Sequence, residues 1–246
     1  DSMRPITVGP AINRLLHKLL ADRLSVSLVR HNLLDASQFA FIPGGDTHEP
    51  ISTATACFRD RQAHDKGCYA IYYDISKAYD TISWSSIETA MLEIGLEKKF
   101  ITFVMTALQG SRVAMRTNIP GNVTREVELH KSIKQGWPLA PLLFIIVMDE
   151  LHRNLRASKR GYKFGTPSTK GQQVVPSRGY CDDTFIVTNT IEDLRYLNEE
   201  VVYPFFKKHG LAVNATKTKV TGRSPGPQGE PFEGTVNWPG SVTPFE

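Results

Sequence analysis

Two β-prone runs are bounded by acidic residues, one at its start and one at its end, and that pairing restricts this chain more than any other feature. Tyr180-Cys181-Asp182-Asp183 stands where the apolar run Thr184-Phe185-Ile186-Val187 begins. Two adjacent carboxylates in that setting read as the turn of a hairpin. Asp74 closes a second run, Tyr69-Ala70-Ile71-Tyr72-Tyr73, far upstream. Three carboxylates from two strand ends can hold a pair of divalent cations about 4 Å apart, the arrangement used for in-line phosphoryl transfer. An Asp-Asp pair taken alone reads equally well as a plain surface turn, so the surrounding segments decide.

The bulk properties set outer limits. A chain of 246 residues can form one large domain or two closely packed subdomains. A net charge of +4 permits an anionic partner without demanding one. Cys57, Cys68 and Cys181 lack metal-ligand spacing, which fits reduced intracellular thiols. The most apolar run, Leu139 to Met148, is interrupted by Pro141 and is too short to span a bilayer, so it belongs to a buried core. No secretory or transit segment is visible at the start, which opens Asp1-Ser2-Met3. Beyond Thr221 the texture turns to Gly222-Arg223-Ser224-Pro225-Gly226-Pro227. The expectation is a fragment of a longer polypeptide, with residues 222–246 weakly ordered or missing their partner.

Between these limits, periodicity places the elements. Ile12, Leu15, Leu16, Leu19 and Leu24 recur at helical spacing over 11–30. A loop from Gln38 to Gly45 leads into a helix through Cys57 and Phe58, and residues 68–74 form a strand. Ser83 can cap a helix to Ile94 that Gly95 ends, and a second helix runs to Leu108, stopped by Gly110. Arg112 to Thr117 and Val123 to Leu129 flank a turn-rich loop, a hairpin signal. Leu139 to Leu155 is a buried helix. Thr190 with Asp193 resembles a capping box that opens a helix reaching His209, bent by Pro204 and ended by Gly210. This irregular alternation predicts an α+β palm with a helical subdomain in front of it.

Three segments carry chemistry. Asp74 opens Asp74-Ile75-Ser76-Lys77-Ala78-Tyr79-Asp80, and a strand-end aspartate there can bind a cation or cap a turn. Asp80 reads as a helix cap or a partner for a basic group, not as a metal ligand. Gln135-Gly136-Trp137-Pro138 forms a rigid turn into the apolar helix; it can approach a nucleotide, though a simple loop reads better from this segment alone. Lys217 lies in a strand-turn-strand segment from Gly210 to Lys219. It is either a solvated charge or a neutraliser of departing pyrophosphate.

In this order and spacing the segments resemble a reverse transcriptase. Asp74 through Asp80 is similar to that family's first catalytic motif, Gln135-Gly136 with Pro138 through Phe144 to its second, and Tyr180-Cys181-Asp182-Asp183 to its metal-binding hairpin. Gly210-Leu211 with Asn214 and Lys217 is similar to the motif that follows. Arg4-Pro5-Ile6 and Gln38-Phe39-Ala40-Phe41-Ile42-Pro43-Gly44 look like the fingers motifs of non-LTR retrotransposon enzymes. The wording around Asp74-Ile75-Ser76-Lys77-Ala78 and Val147-Met148-Asp149 is most similar to site-specific elements that carry a restriction-type endonuclease.

The resemblance implies a right-hand polymerase: fingers at 1–67, a catalytic palm with fingers insertions at 68–223, and an irregular segment at 224–246 leading toward an absent primer grip and thumb. It implies that Asp74, Asp182 and Asp183, with the Ile75 carbonyl, hold two magnesium ions, or manganese in their place. Tyr79 lies under the sugar as a gate against a 2′-hydroxyl, Gln135 and Gly136 contact the nucleotide, and Lys217 meets the departing phosphates. Tyr180, Trp137 and Arg4 contact nucleic acid. The implied partners are an RNA template, a DNA primer or nicked target DNA, deoxynucleotides and other domains of the parent polypeptide, with no membrane. The implied locations are the nucleus and cytoplasmic ribonucleoprotein.

Four departures from the family's pattern stand out. Cys181 takes the place of a usual alanine, and Trp137 that of a usual cysteine or aspartate. Ile42 and Gly45 fall where many relatives place arginines, and no primer-grip motif or thumb is recognisable. The reading is an RNA-directed DNA polymerase acting in target-primed reverse transcription. A catalytically inactive or domesticated nucleic-acid-binding domain is the alternative, and a group II intron maturase fits the fingers wording less well.

Overall fold

The computed structural model describes residues 6–116, 122–166, 168, 170–240 and 244–245. At its centre is a four-stranded antiparallel sheet. Its strands are β1 (Cys68–Tyr73), β7 (Ser177–Tyr180), β8 (Asp183–Thr188) and β10 (Lys219–Arg223), in the order β10-β1-β8-β7. Ile71 of β1 stands opposite Val220 on one side and Ile186 on the other. Shorter pairs flank this sheet: β2 (Ile75–Ser76) with β9 (Ala212–Val213), β3 (Arg112–Val113) with β4 (Val127–Glu128), and β5 (Tyr162–Lys163) with β6 (Val174–Val175).

Period-two alternation along β1 sorts its side chains between two cores. Tyr69, Ile71 and Tyr73 enter the large core, built around α6 (Ala140–Ala157). Cys68 and Ala70 enter a smaller one with Phe185 and Val187, packed beside Phe58 of α2 (His48–Ala63). Helix α6 buries residues on every side of its first half. Pro141 is tolerated because it stands in the first turn, where its missing N–H would have had no partner. The three cysteines are buried and unpaired.

Local signals set the other helices. After α3 (Ala78–Thr81), Ser83 caps α4 (Trp84–Glu93), its Oγ accepting from the Ser86 N–H at 3.1 Å. Gly95, at φ +80°, ends that helix, and Gly110 ends α5 (Lys98–Gln109). Helix α1 (Ala11–Arg30) forms as the spacing predicts, but only Ala21, Leu24 and Leu28 are buried. Ile12, Leu15, Leu16 and Leu19 face away from the core. Among the described residues the hairpin signal yields short pairing, β3 with β4 plus the bridge Arg116 to Val123. The expected end of its first strand at Thr117, and the loop through Gly121, lie outside the described residues.

Two expectations need correction. The helix opened by Thr190 is not a single α-helix bent at Pro204. It runs as α7 (Ile191–Tyr196), a π-helical stretch Leu197–Val202, then α8 (Tyr203–His209) ended by Gly210 in the left-handed region. A proline removes the N–H its own turn needs and crowds the carbonyl four residues back. The wider turn just before it accommodates both.

The segment expected to be weakly ordered is packed in its described part. Residues 222 and 223 belong to β10, and Arg61 Nη2 donates to the Ser224 and Gly226 carbonyls, both at 3.1 Å. Val236 and Phe245 exchange backbone hydrogen bonds of 3.1 and 2.8 Å. Phe232 meets Tyr69 edge-on, while Trp238 meets Tyr73, Phe206 and Phe245. Among the described residues no helix is long and apolar enough to cross a membrane.

Candidate active site

Asp74 follows the last residue of β1, and its main chain is held from the side by the turn after β9. Its N–H donates to Thr218 Oγ1 at 3.1 Å, and its carbonyl accepts from the Asn214 N–H at 2.8 Å. With the backbone fixed at both atoms, the half-buried carboxylate is left to face a cavity of about 750 Å³. Asp182 reaches the same cavity from the β7–β8 hairpin, whose two turn residues are Cys181 and Asp182. Cys181 has φ +61°, a conformation that non-glycine residues rarely adopt.

Ile75, Tyr79, Gln135, Gly136, Trp137 and Lys217 line this cavity too. Gly136, at φ +99°, lets Thr7 pass close by: a Cβ there would lie 2.6 Å from the Thr7 carbonyl oxygen, while the Thr7 N–H donates to Gln135 O at 2.7 Å. Tyr79 stacks on Phe144 at 5.2 Å between centroids, and its hydroxyl lies 3.2 Å from Cys181 Sγ. Burial first, then the nearby Cys181, holds the Tyr79 phenol well above its ordinary pKa; burial pushes the Cys181 thiol up to about 12. Both groups are therefore neutral at physiological pH.

Not every expected residue meets in the cavity. Asp183 is exposed and lines the groove on the other side of the hairpin, with Tyr180, Arg178 and Tyr72. Tyr180 packs against Phe41 at 6.2 Å between ring centroids. Arg4 lies outside the described residues. Trp137 is half-buried, its indole N–H donating to His17 Nδ1 in an edge-on contact at 5.0 Å between centroids. Asp80 departs from its expected structural role. It sits in α3 without capping it, and its carboxylate lines the cavity with no hydrogen bond or ion pair among the described residues.

Sequence reasoning missed what holds the hairpin turn. Gln38 is 2% exposed, and its Oε1 accepts from the Cys181 N–H at 3.0 Å. Only its place within the fingers wording marked it.

The arrangement brings three acidic residues (Asp74, Asp80 and Asp182), two lysines (Lys77 and Lys217) and a polar loop to one opening. Carboxylate oxygens suit a hard divalent cation. Among the described residues no group of three or more acidic, histidine or cysteine side chains is gathered closely enough to hold a metal ion, so the fit rests on Asp74 and Asp182, the strand-end and hairpin-turn carboxylates, with Asp80 lining the same cavity.

A family model described as reverse transcriptase (RNA-dependent DNA polymerase) matches residues 1–233. The chain is 30% identical, over 89% of its length, to the Pol polyprotein of the type-1 retrotransposable element R2 of Popillia japonica, and covers 29% of that protein. It is 30% identical, over 90% of its length, to the polyprotein of element R2DM of Drosophila melanogaster, of which it covers 20%. The chain thus spans less than a third of either relative. Apo telomerase from Candida tropicalis superposes with a TM-score of 0.59 at 13% identity, over 85% of this chain and 36% of that one. Telomerase from Candida albicans in complex with the TWJ fragment of telomeric RNA gives 0.58 at 14% identity, over 84% and 35%. These two likenesses show a shared fold.

Proposed function

The chain belongs to the reverse transcriptase family, as a reverse transcriptase domain of the non-LTR retrotransposon type, and from that premise we propose that it extends a DNA primer along an RNA template at the Asp74–Asp182 cavity. The observation that carries this reading is the convergence on that cavity of Asp74 and Asp182 with Tyr79, Gln135 and Lys217. Polymerases of this family use divalent metal ions. The proposed ligands for two magnesium ions are Asp74, Asp182, Asp183 and the Ile75 carbonyl. When bound, such ions lower the pKa of a primer 3′-hydroxyl and neutralise triphosphate charge.

The chain's own residues do the rest. Tyr79, braced on Phe144, presents an aromatic wall where the sugar sits, so a 2′-hydroxyl collides with it. The Gln135-Gly136 turn, held by Thr7, positions the nucleotide. Lys217 offers positive charge to the departing pyrophosphate, and Tyr180, Trp137 and Arg4 contact the nucleic acid.

In the proposed whole protein, residues 1–67 are fingers and 68–223 are palm, with 224–246 leading onward. We infer that it acts in target-primed synthesis from nicked DNA, in the nucleus and in cytoplasmic ribonucleoprotein, a reading that fits its likeness to R2 polyproteins. A telomerase of the same fold binds RNA. Primer extension by the full-length polypeptide on an RNA template, with and without a chelator, tests the reading. Extension should require magnesium and deoxynucleotides. A folded protein that binds RNA but never extends a primer would favour the binding-domain alternative.

A further inference from the structure

The turn that carries Asp182 does not hold itself. Cys181 occupies the left-handed region at φ +61°, a strained conformation for a non-glycine residue that persists only where its surroundings impose it. Gln38, remote in sequence, supplies that fixation. Its Oε1 accepts from the Cys181 N–H at 3.0 Å, and its Nε2 lies 3.5 Å from the Cys181 carbonyl oxygen, so one amide spans both backbone groups of the turn residue.

Gln38 is itself immobilised. Its Oε1 also takes the N–H groups of Phe39 and Ala40, each at 3.1 Å. Its main chain runs as an extra rung beside β7: the Phe39 N–H donates to Gly179 O at 3.0 Å, and the Gly179 N–H donates to Ser37 O at 2.8 Å. Any Cβ on Gly179 would lie 2.7 Å from His152 Nε2 and 3.3 Å from Gln38 Nε2. Asp35 anchors the same loop, gripped by Arg156 at 2.6 and 2.8 Å. On its other side Cys181 meets Tyr79, which lines the Asp74–Asp182 cavity, with Sγ lying 3.2 Å from the Tyr79 hydroxyl.

We propose that Gln38 is a positioning residue for nucleotide selection: its amide fixes the Cys181 turn, and the Cys181 thiol fixes the Tyr79 ring through its hydroxyl. The proposal rests on Tyr79 acting as the gate against a 2′-hydroxyl. The thiol supplies a link that the alanine usual at that position could not, since a methyl group cannot hydrogen-bond.

The test measures ribonucleotide against deoxynucleotide incorporation by the full-length polypeptide, together with amide hydrogen exchange at the hairpin turn. Gln38→Met removes the amide at nearly constant volume. It should raise relative ribonucleotide incorporation by about three- to tenfold, the equilibrium worth of one neutral hydrogen bond, and speed exchange at the Cys181 amide. Cys181→Ala should raise incorporation similarly, whereas Cys181→Ser, which can still bond to Tyr79, should restore the parental preference. Lowered melting temperature with unchanged preference and unchanged exchange would make Gln38 merely structural and overturn the proposal. If Gln38→Met fails to fold, the Cys181→Ala and Cys181→Ser pair decides: equal preference in the two overturns it. Tyr79→Ala separates the two readings. If it leaves the preference unchanged, the gate itself falls and the proposal with it; if it relaxes the preference while the Gln38 and Cys181 variants do not, only the positioning link falls.

Discussion

Trp137 donates its indole N–H to Nδ1 of His17, which ties the turn ahead of α6 to the middle of α1. The bond requires a neutral imidazole, and burial, followed by the charge of Lys134, lowers the His17 pKa in that direction. One edge of the indole is therefore occupied by the protein, while the residue still borders the cavity that Asp74 and Asp182 share.

This geometry splits the two roles of Trp137 between two substitutions. Trp137→Phe keeps an aromatic face and loses the N–H, leaving His17 Nδ1 without its donor. It should cost about 1–3 kcal/mol of stability and leave RNA–primer affinity close to parental. Trp137→Cys also loses the ring and should weaken binding by about 1–3 kcal/mol if a base stacks there. Urea unfolding and filter binding read the two effects separately. Parental affinity in Trp137→Cys, with stability lowered, would leave only the structural tie to α1.

The acidic residues give the most direct test of chemistry. Asp74→Asn and Asp182→Asn should each lower the extension rate by about 100- to 1000-fold, the scale of removing one preorganised electrostatic contact. Neither change should lower the melting temperature much, because the main-chain bonds of Asp74 to Thr218 and Asn214 do not involve its carboxylate. Asp183→Asn should show a comparably large loss, since two divalent ions call for a third carboxylate. An Asp183→Asn protein that extends primers at the parental rate would confine the ion site to the cavity side of the hairpin.

The parts legible in the sequence were those governed by local physics. The apolar, β-prone run Tyr69 to Tyr73 marked the central strand, while its division between two cores appeared only in the fold. Ser83, Thr190, Gly95 and Gly210 marked helix ends because capping is settled within a few residues. The strand-end position of Asp74 and the hairpin carrying Asp182 were readable for the same reason. What escaped was set by tertiary contact. Phe232, Val236, Trp238 and Phe245 share no period, so nothing local shows that they meet the sheet and α8. Gln38 acts on a backbone 143 residues away, which leaves no local pattern at either end. Asp80 looked like a cap because helix-start aspartates usually are, but Lys77, in the left-handed region, already occupies that position.

The packed tail makes its own contribution to stability. Phe245 is fully buried against Tyr73 and Trp238. Phe245→Ala should therefore cost about 3–5 kcal/mol, the usual range for removing a buried aromatic ring. Denaturant unfolding with an unchanged midpoint would show that the tail contributes nothing to the core.

The last expectation concerns acid. His152 is fully buried beneath the hairpin, with Nδ1 2.9 Å from Ser177 Oγ and Nε2 lacking a partner among the described residues. Burial holds its pKa down to about 4 from an ordinary 6.5. Above pH 6.5 the histidine is neutral in both folded and unfolded chains, and its contribution to stability is complete. As pH falls below 6.5 the unfolded chain takes up a proton that the folded chain refuses, and stability declines until about pH 4. The loss amounts to about 3 kcal/mol at 1.36 kcal/mol per pKa unit. His17 and His209, also lowered by burial, add in the same direction. Asp149, raised by burial, opposes them near the acid end of the window. Asp35, held at about 2 with Arg156 and Ser37 as its stabilising partners, acts only below the window. His152→Met should remove the larger part of the slope measured by urea unfolding between pH 4 and 6.5. A variant that keeps the full parental slope would show that burial of this imidazole is not its source.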